Sequence, residues 1–203
     1  MIQDGKRLVK GMSVSDIKEV INAFAAAAAA AKDIGFDGIE VHGAHSFLID
    51  EFLWTKTNQR NDAYGGSIGN RTRFAAEIVA AVRTSVGLDF LIAFRYSKWK
   101  QGDYKARIAN NPLELEKTLV PLVNAGVDIF HPSTHRYESP AFAGSDLSLA
   151  GWTKNNHRQS YDRSGKYRYR YRTRSGNFAC ETSATRPVPV EQVEARLVKS
   201  VAL

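Results

Sequence analysis

The sequence lacks three features that would place the chain outside the cytoplasm or in a membrane. A single cysteine, Cys180, excludes an internal disulfide bond and leaves no cysteine cluster for a metal. No apolar run approaches the roughly 20 residues that cross a bilayer as a helix. Residues 1–6 also lack the apolar segment of a secretory signal. We therefore expect a cytoplasmic protein with no membrane partner.

The positive charge of the chain is concentrated in one segment. The net charge is +7, yet residues 154–174 alone carry eight basic residues against Asp162, so the remainder is neutral. Because the positive charge is confined to this segment and the rest of the chain is neutral, we do not expect nucleic acid to be the main partner. One alternative stays open, because the alternating tyrosines and arginines of 167–172 could stack on bases and neutralise phosphates.

The body of the chain alternates between helical and strand-like patterns. With 203 residues, of which 43% are hydrophobic, it has room for one domain with a sizeable core. The patterns predict helices at 15–33, 70–86 and 112–126, a helical turn at 147–153, and strands at 38–42, 89–95 and 127–131. Ser15 and Asn70 are the predicted helix caps. This alternation predicts an α/β fold with a parallel sheet.

Histidines and an arginine stand where the predicted strands end. His42 and His45 follow the first strand, and Arg95 closes the second. The two histidines alone do not predict a metal site, because no third ligand is in register. An isolated histidine near a strand end is more often a structural residue than a functional one. His131 and His135 follow the third strand, in either a substrate-side loop or a structural turn.

The residues from Gly38 to His45, the loop 58–67 and the following run 70–74 closely resemble the Old Yellow Enzyme family of FMN-dependent oxidoreductases. The resemblance extends over roughly residues 12–153. It implies a partial (β/α)8 TIM barrel containing roughly strands four to six. It also implies that FMN is the cofactor and NAD(P)H the reductant. The substrate it implies is a small enone or similar electrophile, in which the activated alkene is reduced.

The resemblance assigns roles to particular side chains. It implies that His42 and His45 bond the carbonyl or nitro oxygen of a substrate stacked on the flavin, and so stabilise the negative charge that develops there. It implies that Arg95 faces the flavin ring and favours its anionic reduced form. Many members carry a proton-donating tyrosine at the position of Phe47, which has no ionisable hydrogen. Either solvent or another group donates the proton, or Phe47 only forms the pocket wall. The loop residues from Asn58 to Gly66 are predicted to be loop architecture.

The resemblance fails at both ends of the chain. The family has further strands before the position of Met12, and it ends with glycine-rich turns that hold the FMN phosphate. We divide this chain into a partial barrel domain (1–153), a basic irregular segment (154–180) and a short C-terminal helical segment (181–203). We interpret the basic segment as a shifted reading frame, because a shifted reading contains no stop codon through Arg172 and permits a sequence similar to the family's seventh strand.

Three functional interpretations follow. The first is an incomplete flavin oxidoreductase that binds FMN weakly or not at all. The second is a non-catalytic protein whose basic tract binds nucleic acid. The third is one subunit of a split barrel. In an incomplete barrel, open sheet edges favour self-association.

Overall fold

A parallel β-sheet covered by long helices forms the centre of the molecule. The computed structural model describes residues 2–3, 6–7, 11–162, 168–169, 180–181 and 201–202, with side chains from 11 to 156. The helices are α1 (Val14–Asp33), α2 (Leu48–Leu53), α3 (Ile68–Val86), α4 (Pro112–Ala125) and α5 (Leu149–Asp162). The strands are β1 (Ile2–Gln3), β2 (Lys6–Arg7), β3 (Gly38–Gly43), β4 (Leu91–Ser97), β5 (Ile129–Ser133), β6 (Arg168–Tyr169), β7 (Cys180–Glu181) and β8 (Val201–Ala202).

The main sheet has the strand order β5-β4-β3-β8, and all its pairings are parallel. The prediction that the three longer strands are parallel and adjacent is confirmed. Helix α3 connects β3 to β4 and α4 connects β4 to β5, as parallel neighbours require a crossover. The hairpin β1-β2 and the pair β6-β7 are antiparallel and separate from this sheet.

The core lies between the sheet and the helices. Helix α3 packs against both α1 and α4, and its Phe74, Ile78 and Val82 are fully buried. Alternate residues of β3, Ile39 and Val41, are buried as well, while the residues between them face the other side of the sheet. Each fully buried side chain of this size contributes about 1.5–3 kcal/mol. The covered face therefore stabilises the fold and leaves the opposite face for polar groups.

Two predicted helix caps are wrong. Helix α1 is capped by Ser13 and not by Ser15, because Ser13 and Asp16 form a reciprocal capping box: Asp16 N donates to Ser13 Oγ (3.2 Å) and Ser13 N donates to Asp16 Oδ2 (2.7 Å). Helix α3 is capped by Ser67, whereas the side chain of Asn70 donates to Gly65 O. Pro112 begins α4 as predicted.

The loop between α2 and α3 is held by its own polar side chains, as predicted. Asn58 Nδ2 donates to Phe52 O (2.7 Å) and to Tyr64 O (2.8 Å), which ties the two ends of the loop together. Gly65 approaches the chain so closely that an added Cβ would lie 2.0 Å from Arg60 O. Short helix α2 precedes this loop, in a stretch where the sequence patterns predicted no helix.

Helix α5 continues past the predicted domain boundary at residue 153. Thr153 and Asn156 are buried. Tyr96 Oη and Thr153 Oγ1 lie 2.6 Å apart, and Asn156 Nδ2 donates to Pro112 O. The segment predicted to be irregular (154–180) therefore begins within helix α5, which continues to Asp162.

The C-terminal predictions are tested at few positions. Val201 and Ala202 form a strand on the edge of β3, so the predicted helix does not include them. A sheet edge offers free backbone donors and acceptors to such a segment. Most of 163–200, including most of the basic tract, lies outside the described residues. Within the described ranges, no helix is both long and apolar enough to cross a bilayer.

Candidate active site

Three neighbouring strands bring charged side chains to the same face of the sheet. His42 of β3 is in register with Arg95 of β4, which is in register with His131 of β5. Side chains at registered positions of a parallel sheet point to the same side. His45 follows β3, and its ring centroid lies 5.5 Å from that of His42. The structure therefore brings together the three predicted site residues, and their roles stay predictions.

Glu40 links the second and third of these positions. His131 Nδ1 lies 2.8 Å from Glu40 Oε2, and Arg95 Nη1 lies 3.9 Å from Glu40 Oε1. Burial alone would raise the pKa of Glu40, but the hydrogen bond with His131 and the positive charges around it hold that pKa below its usual value. Glu40 is therefore a carboxylate that orients Arg95 and His131. His131 belongs to the strand itself and not to the loop after it.

The turn after β3 has an unusual backbone. His45 and Ser46 have φ values of 59° and 66°, in the left-handed region that few residues other than glycine adopt. His45 N donates to Ser97 Oγ (3.0 Å), and Ser46 N donates to Asp50 Oδ2 (2.7 Å). The ring is held too, since His45 Nε2 lies 2.8 Å from Ser133 Oγ. The position of the His45 imidazole thus depends on polar contacts to three other elements.

A buried ion pair supports this turn. Asp50 and Lys100 are completely buried, and Lys100 Nζ contacts Asp50 Oδ1. Burial raises the pKa of the Asp50 carboxyl and lowers the pKa of the Lys100 ammonium, because a low dielectric disfavours both charges. Each residue therefore depends on the other for its charge. The same carboxylate accepts the Ser46 N–H, so the pair fixes the turn that carries His45.

Both histidines are biased toward the neutral form. Burial lowers the pKa of His42 and of His45, and the nearby Arg95 guanidinium lowers both further. A neutral imidazole has one N–H donor and one acceptor nitrogen. At neutral pH the pair can donate hydrogen bonds to an oxygen without carrying a full charge.

Arg95 has an unused donor. Its Nε is buried and has no hydrogen-bond partner among the described residues. Buried N–H groups are rarely left unpaired, so this atom indicates a place for an acceptor from a bound group.

Phe47 is 56% exposed. Its ring meets the His42 ring edge-on, with 5.0 Å between the ring centroids. Throughout the described ranges, no three His, Cys, Asp or Glu side chains are grouped as a metal site.

Comparison with known proteins assigns the family. The model of the NADH:flavin oxidoreductase / NADH oxidase family matches residues 2–141. The chain belongs to this family. The resemblance to Old Yellow Enzyme proteins is thereby confirmed, although the matched span ends before residue 153.

Individual relatives are similar over part of their length. An NADH oxidase of Thermoanaerobacter brockii is 40% identical over 145 residues, which are 70% of this chain and 21% of that protein. 12-Oxophytodienoate reductase 2 of Arabidopsis thaliana is 35% identical over 159 residues, 70% of this chain and 42% of that protein. The solved structure of morphinone reductase superposes with a TM-score of 0.58 at 29% identity, covering 75% of this chain and 39% of the other. The chain therefore spans less than half the length of these relatives.

Sequence reasoning missed the residues that support the site. Ser97, Asp50 and Lys100 make long-range contacts that no local pattern encodes. One signal was available, since Asp50 is a charged residue within the otherwise mostly apolar run of α2. Such a residue is either exposed or paired, and here it is paired.

We predict that Lys100→Met lowers the free energy of unfolding by about 3–5 kcal/mol, because Asp50 would stay buried without its counter-charge. Adding Asp50→Asn should restore part of the loss, since a neutral amide still accepts the Ser46 N–H. Urea unfolding followed by circular dichroism measures both effects. As a control, Lys56→Met removes an exposed lysine that pairs with Asp103 and should change stability by less than about 1 kcal/mol. Equal losses in the two lysine variants would contradict the prediction.

We predict that the rings of His42 and His45 titrate below about pH 6.5 in the folded chain, and near 6.5 once it is unfolded. NMR of the imidazole protons measures both. Because the folded pKa is the lower one, the histidines contribute stability that is fully present above pH 6.5. It is lost as pH falls through the folded pKa. Arg95→Gln should raise both folded values. Folded values above 6.5 would refute this picture.

Proposed function

We propose that this chain is part of an FMN-dependent NAD(P)H oxidoreductase of the Old Yellow Enzyme type, which reduces activated alkenes of small electrophiles such as enones. In this proposal β3, β4 and β5 are about the fourth to sixth strands of a (β/α)8 barrel. The main support is the register of His42 with Arg95 near the carboxyl ends of adjacent parallel strands, where barrel enzymes have their active sites. We propose the cytoplasm as its location.

The residues on this face fit a flavin. The unpaired Nε of Arg95 suits an acceptor atom on the edge of a planar ring. When bound, FMN would carry hydride from the nicotinamide to the substrate. Arg95 would hold a fixed positive charge beside the ring, with its orientation set by Glu40.

His42 and His45 would bind the substrate oxygen. As neutral donors beside a cationic arginine, they offer N–H groups in an environment that favours negative charge. Negative charge develops on the carbonyl oxygen as the alkene accepts hydride, so these donors bind the transition state more tightly than the ground state. Ser133 and Ser97 hold His45 in place during this change.

Phe47 does not supply the proton that completes alkene reduction. Its ring packs edge-on against His42 and is largely exposed. In this proposal it forms part of the pocket wall, and the proton comes from solvent. The exposed position of the ring is consistent with access for water.

The sheet edges support a second proposal, that the chain associates with copies of itself or with a polypeptide carrying further strands. Strand β5 stands at one end of the four-stranded sheet, and β8 pairs with β3 at only Ile39 and Glu40. Unpaired edges favour strand addition. Size-exclusion chromatography tests this, and a strictly monomeric chain at high concentration would count against it.

We predict that the chain, assayed with NADH and excess FMN, reduces cyclohexenone at a rate above that of free FMN. Replacing His42 or His45 by alanine should lower this rate about 100- to 1000-fold, as the loss of one oxyanion donor does elsewhere. Chromatographic measurement of the ketone product gives the rate. Lys56→Met should leave the rate unchanged, because Lys56 pairs with Asp103 and contacts Trp54, and neither is a candidate site residue. Equal rates in the wild-type chain and both alanine variants would show that the histidines do not bind the substrate.

We predict that the purified 203-residue chain retains no FMN and binds added FMN only weakly, which is why the activity assay uses an excess of the cofactor. The resemblance assigns the FMN phosphate to the region where this chain has its basic tract, and phosphate contacts supply much of the affinity. Quenching of flavin fluorescence during a titration measures the dissociation constant, and Arg95→Gln should weaken whatever binding remains. A chain that purifies yellow with stoichiometric flavin would contradict this expectation.

A further inference from the structure

A cleft beside the candidate active site has a strongly basic lining. Its volume is about 210 Å³, and it lies between the end of β4 and the loop after β5. We call it the basic cleft, and the lining residues that matter here are Lys98, Trp99, Arg107, Thr134, His135 and Arg136. A second cavity of about 430 Å³ adjoins it and shares Lys98 and Arg107. None of the candidate catalytic residues lines either cavity.

The cations of the basic cleft have no counter-charge. Lys98, Arg107 and Arg136 line it without a single Asp or Glu in the lining. In the described part of the chain none of the three forms a salt bridge; Lys98 Nζ donates to Ala141 O, and Arg107 donates to the carbonyl oxygens of its own loop. Burial lowers the pKa of Lys98, and the nearby charge of Arg107 lowers it further. An anion bound among these cations would offset their mutual repulsion.

Two of the lining residues also carry an uncharged donor that has no partner in the described part of the chain. Trp99 Nε1 and Thr134 Oγ1 are both buried and have no hydrogen-bond partner among the described residues. An unpaired buried donor costs about 1–3 kcal/mol, which a bound acceptor would recover. The cations and these donors are independent observations, and both indicate a ligand with acceptor oxygens.

The wall of the cleft is aromatic. The rings of Trp99 and Tyr104 stack with 5.2 Å between centroids and 21° between planes, and Tyr104 lies 5.5 Å from the ring of His135. Flat groups bind well against such a wall. Trp99 also stacks on His45, at 4.7 Å between centroids, so the cleft adjoins the candidate substrate site.

We propose that the basic cleft binds the carboxylate or phosphate of a ligand that also carries a flat ring. Lys98 and Arg107 neutralise the anion, Trp99 Nε1 and Thr134 Oγ1 donate to its oxygens, and the ring lies along the aromatic wall. This proposal rests on residues other than His42 and His45, so it does not depend on the proposed alkene reduction. If both hold, the cleft selects substrates with an anionic group.

Calorimetric titration of the full chain with three probes tests the proposal. Benzoate and phenyl phosphate carry the two candidate anions on the same ring, and benzamide is a neutral match for benzoate. At least one anion should bind about tenfold more tightly than benzamide, since a hydrogen bond to a charged group exceeds a neutral one by about that factor. The tighter of the two identifies the preferred anion.

Matched variants locate the binding. Lys98→Met and Arg107→Gln should each weaken anion binding about tenfold and leave benzamide unchanged. Lys56→Gln removes the same charge outside the cleft and should change affinity less than twofold. The anion should also quench tryptophan emission, and Trp99→Phe should abolish that quenching.

Three outcomes would overturn the proposal. Equal affinity for benzoate, phenyl phosphate and benzamide would show that charge is not recognised. Equal losses in Lys56→Gln and Arg107→Gln would show only general attraction to a positive chain. Quenching that survives Trp99→Phe would place the binding at another site. The binding experiment involves neither flavin nor turnover. A negative result would therefore not contradict the proposed enzyme function, and an inactive enzyme would not contradict the proposed anion site.

Discussion

The parallel pairing of β3 with β4 is the constraint on which the site and the core both depend. It requires glycine at both ends of β3: a Cβ on Gly38 would lie 2.7 Å from Leu91 Cβ, and one on Gly43 would lie 2.4 Å from Phe94 Cζ. Real Cβ atoms do not approach so closely, so the strands meet only because these side chains are absent. The register that results sets His42 beside Arg95. A slip of one residue would turn one of the two side chains toward the helices.

The site carries charges that cost free energy to bury. Asp50 and Lys100 are removed from water together, and an ion pair in this position is seldom more stabilising than apolar residues would be. What the pair does is determine geometry, because its carboxylate accepts the N–H of Ser46 in a left-handed turn. Residues in such conformations persist where the surroundings over-determine them, and they occur often at functional sites. The pair therefore fixes the position of His45, at a cost in the free energy of folding.

Periodicity in the sequence was sufficient to predict the three main strands, their parallel order and the long helices α3 and α4 between them, but not the short helix α2. It also placed His42, His45 and Arg95 at strand ends. Local pattern could not predict contacts between residues that are far apart in sequence, such as Asp50 with Lys100, because those depend on how loops meet above the sheet. The cap of α1 was missed for a simpler reason: Ser13 and Ser15 are both good caps, and Asp16 at the third position decides between them. Helix α5 extends beyond its local signal because Thr153 and Asn156 are buried against other elements.

In the described part of the chain, the candidate active site and the basic cleft together carry more positive than negative charge. Among the groups that face the site, both carboxylates are already engaged, Glu40 by His131 and Arg95, and Asp50 by Lys100. The cations of the basic cleft have no such partners. A fixed excess of positive charge with low-dielectric walls attracts anions and strengthens their binding once water is displaced. Burial lowers the pKa of both histidines, and the charge of Arg95 lowers it further, which keeps them as neutral donors and leaves the positive charge to Arg95. Negative charge that develops on a substrate oxygen and negative charge that a ligand brings with it are therefore favoured by one arrangement of side chains, because the carboxylates of Glu40 and Asp50 are already paired with cations.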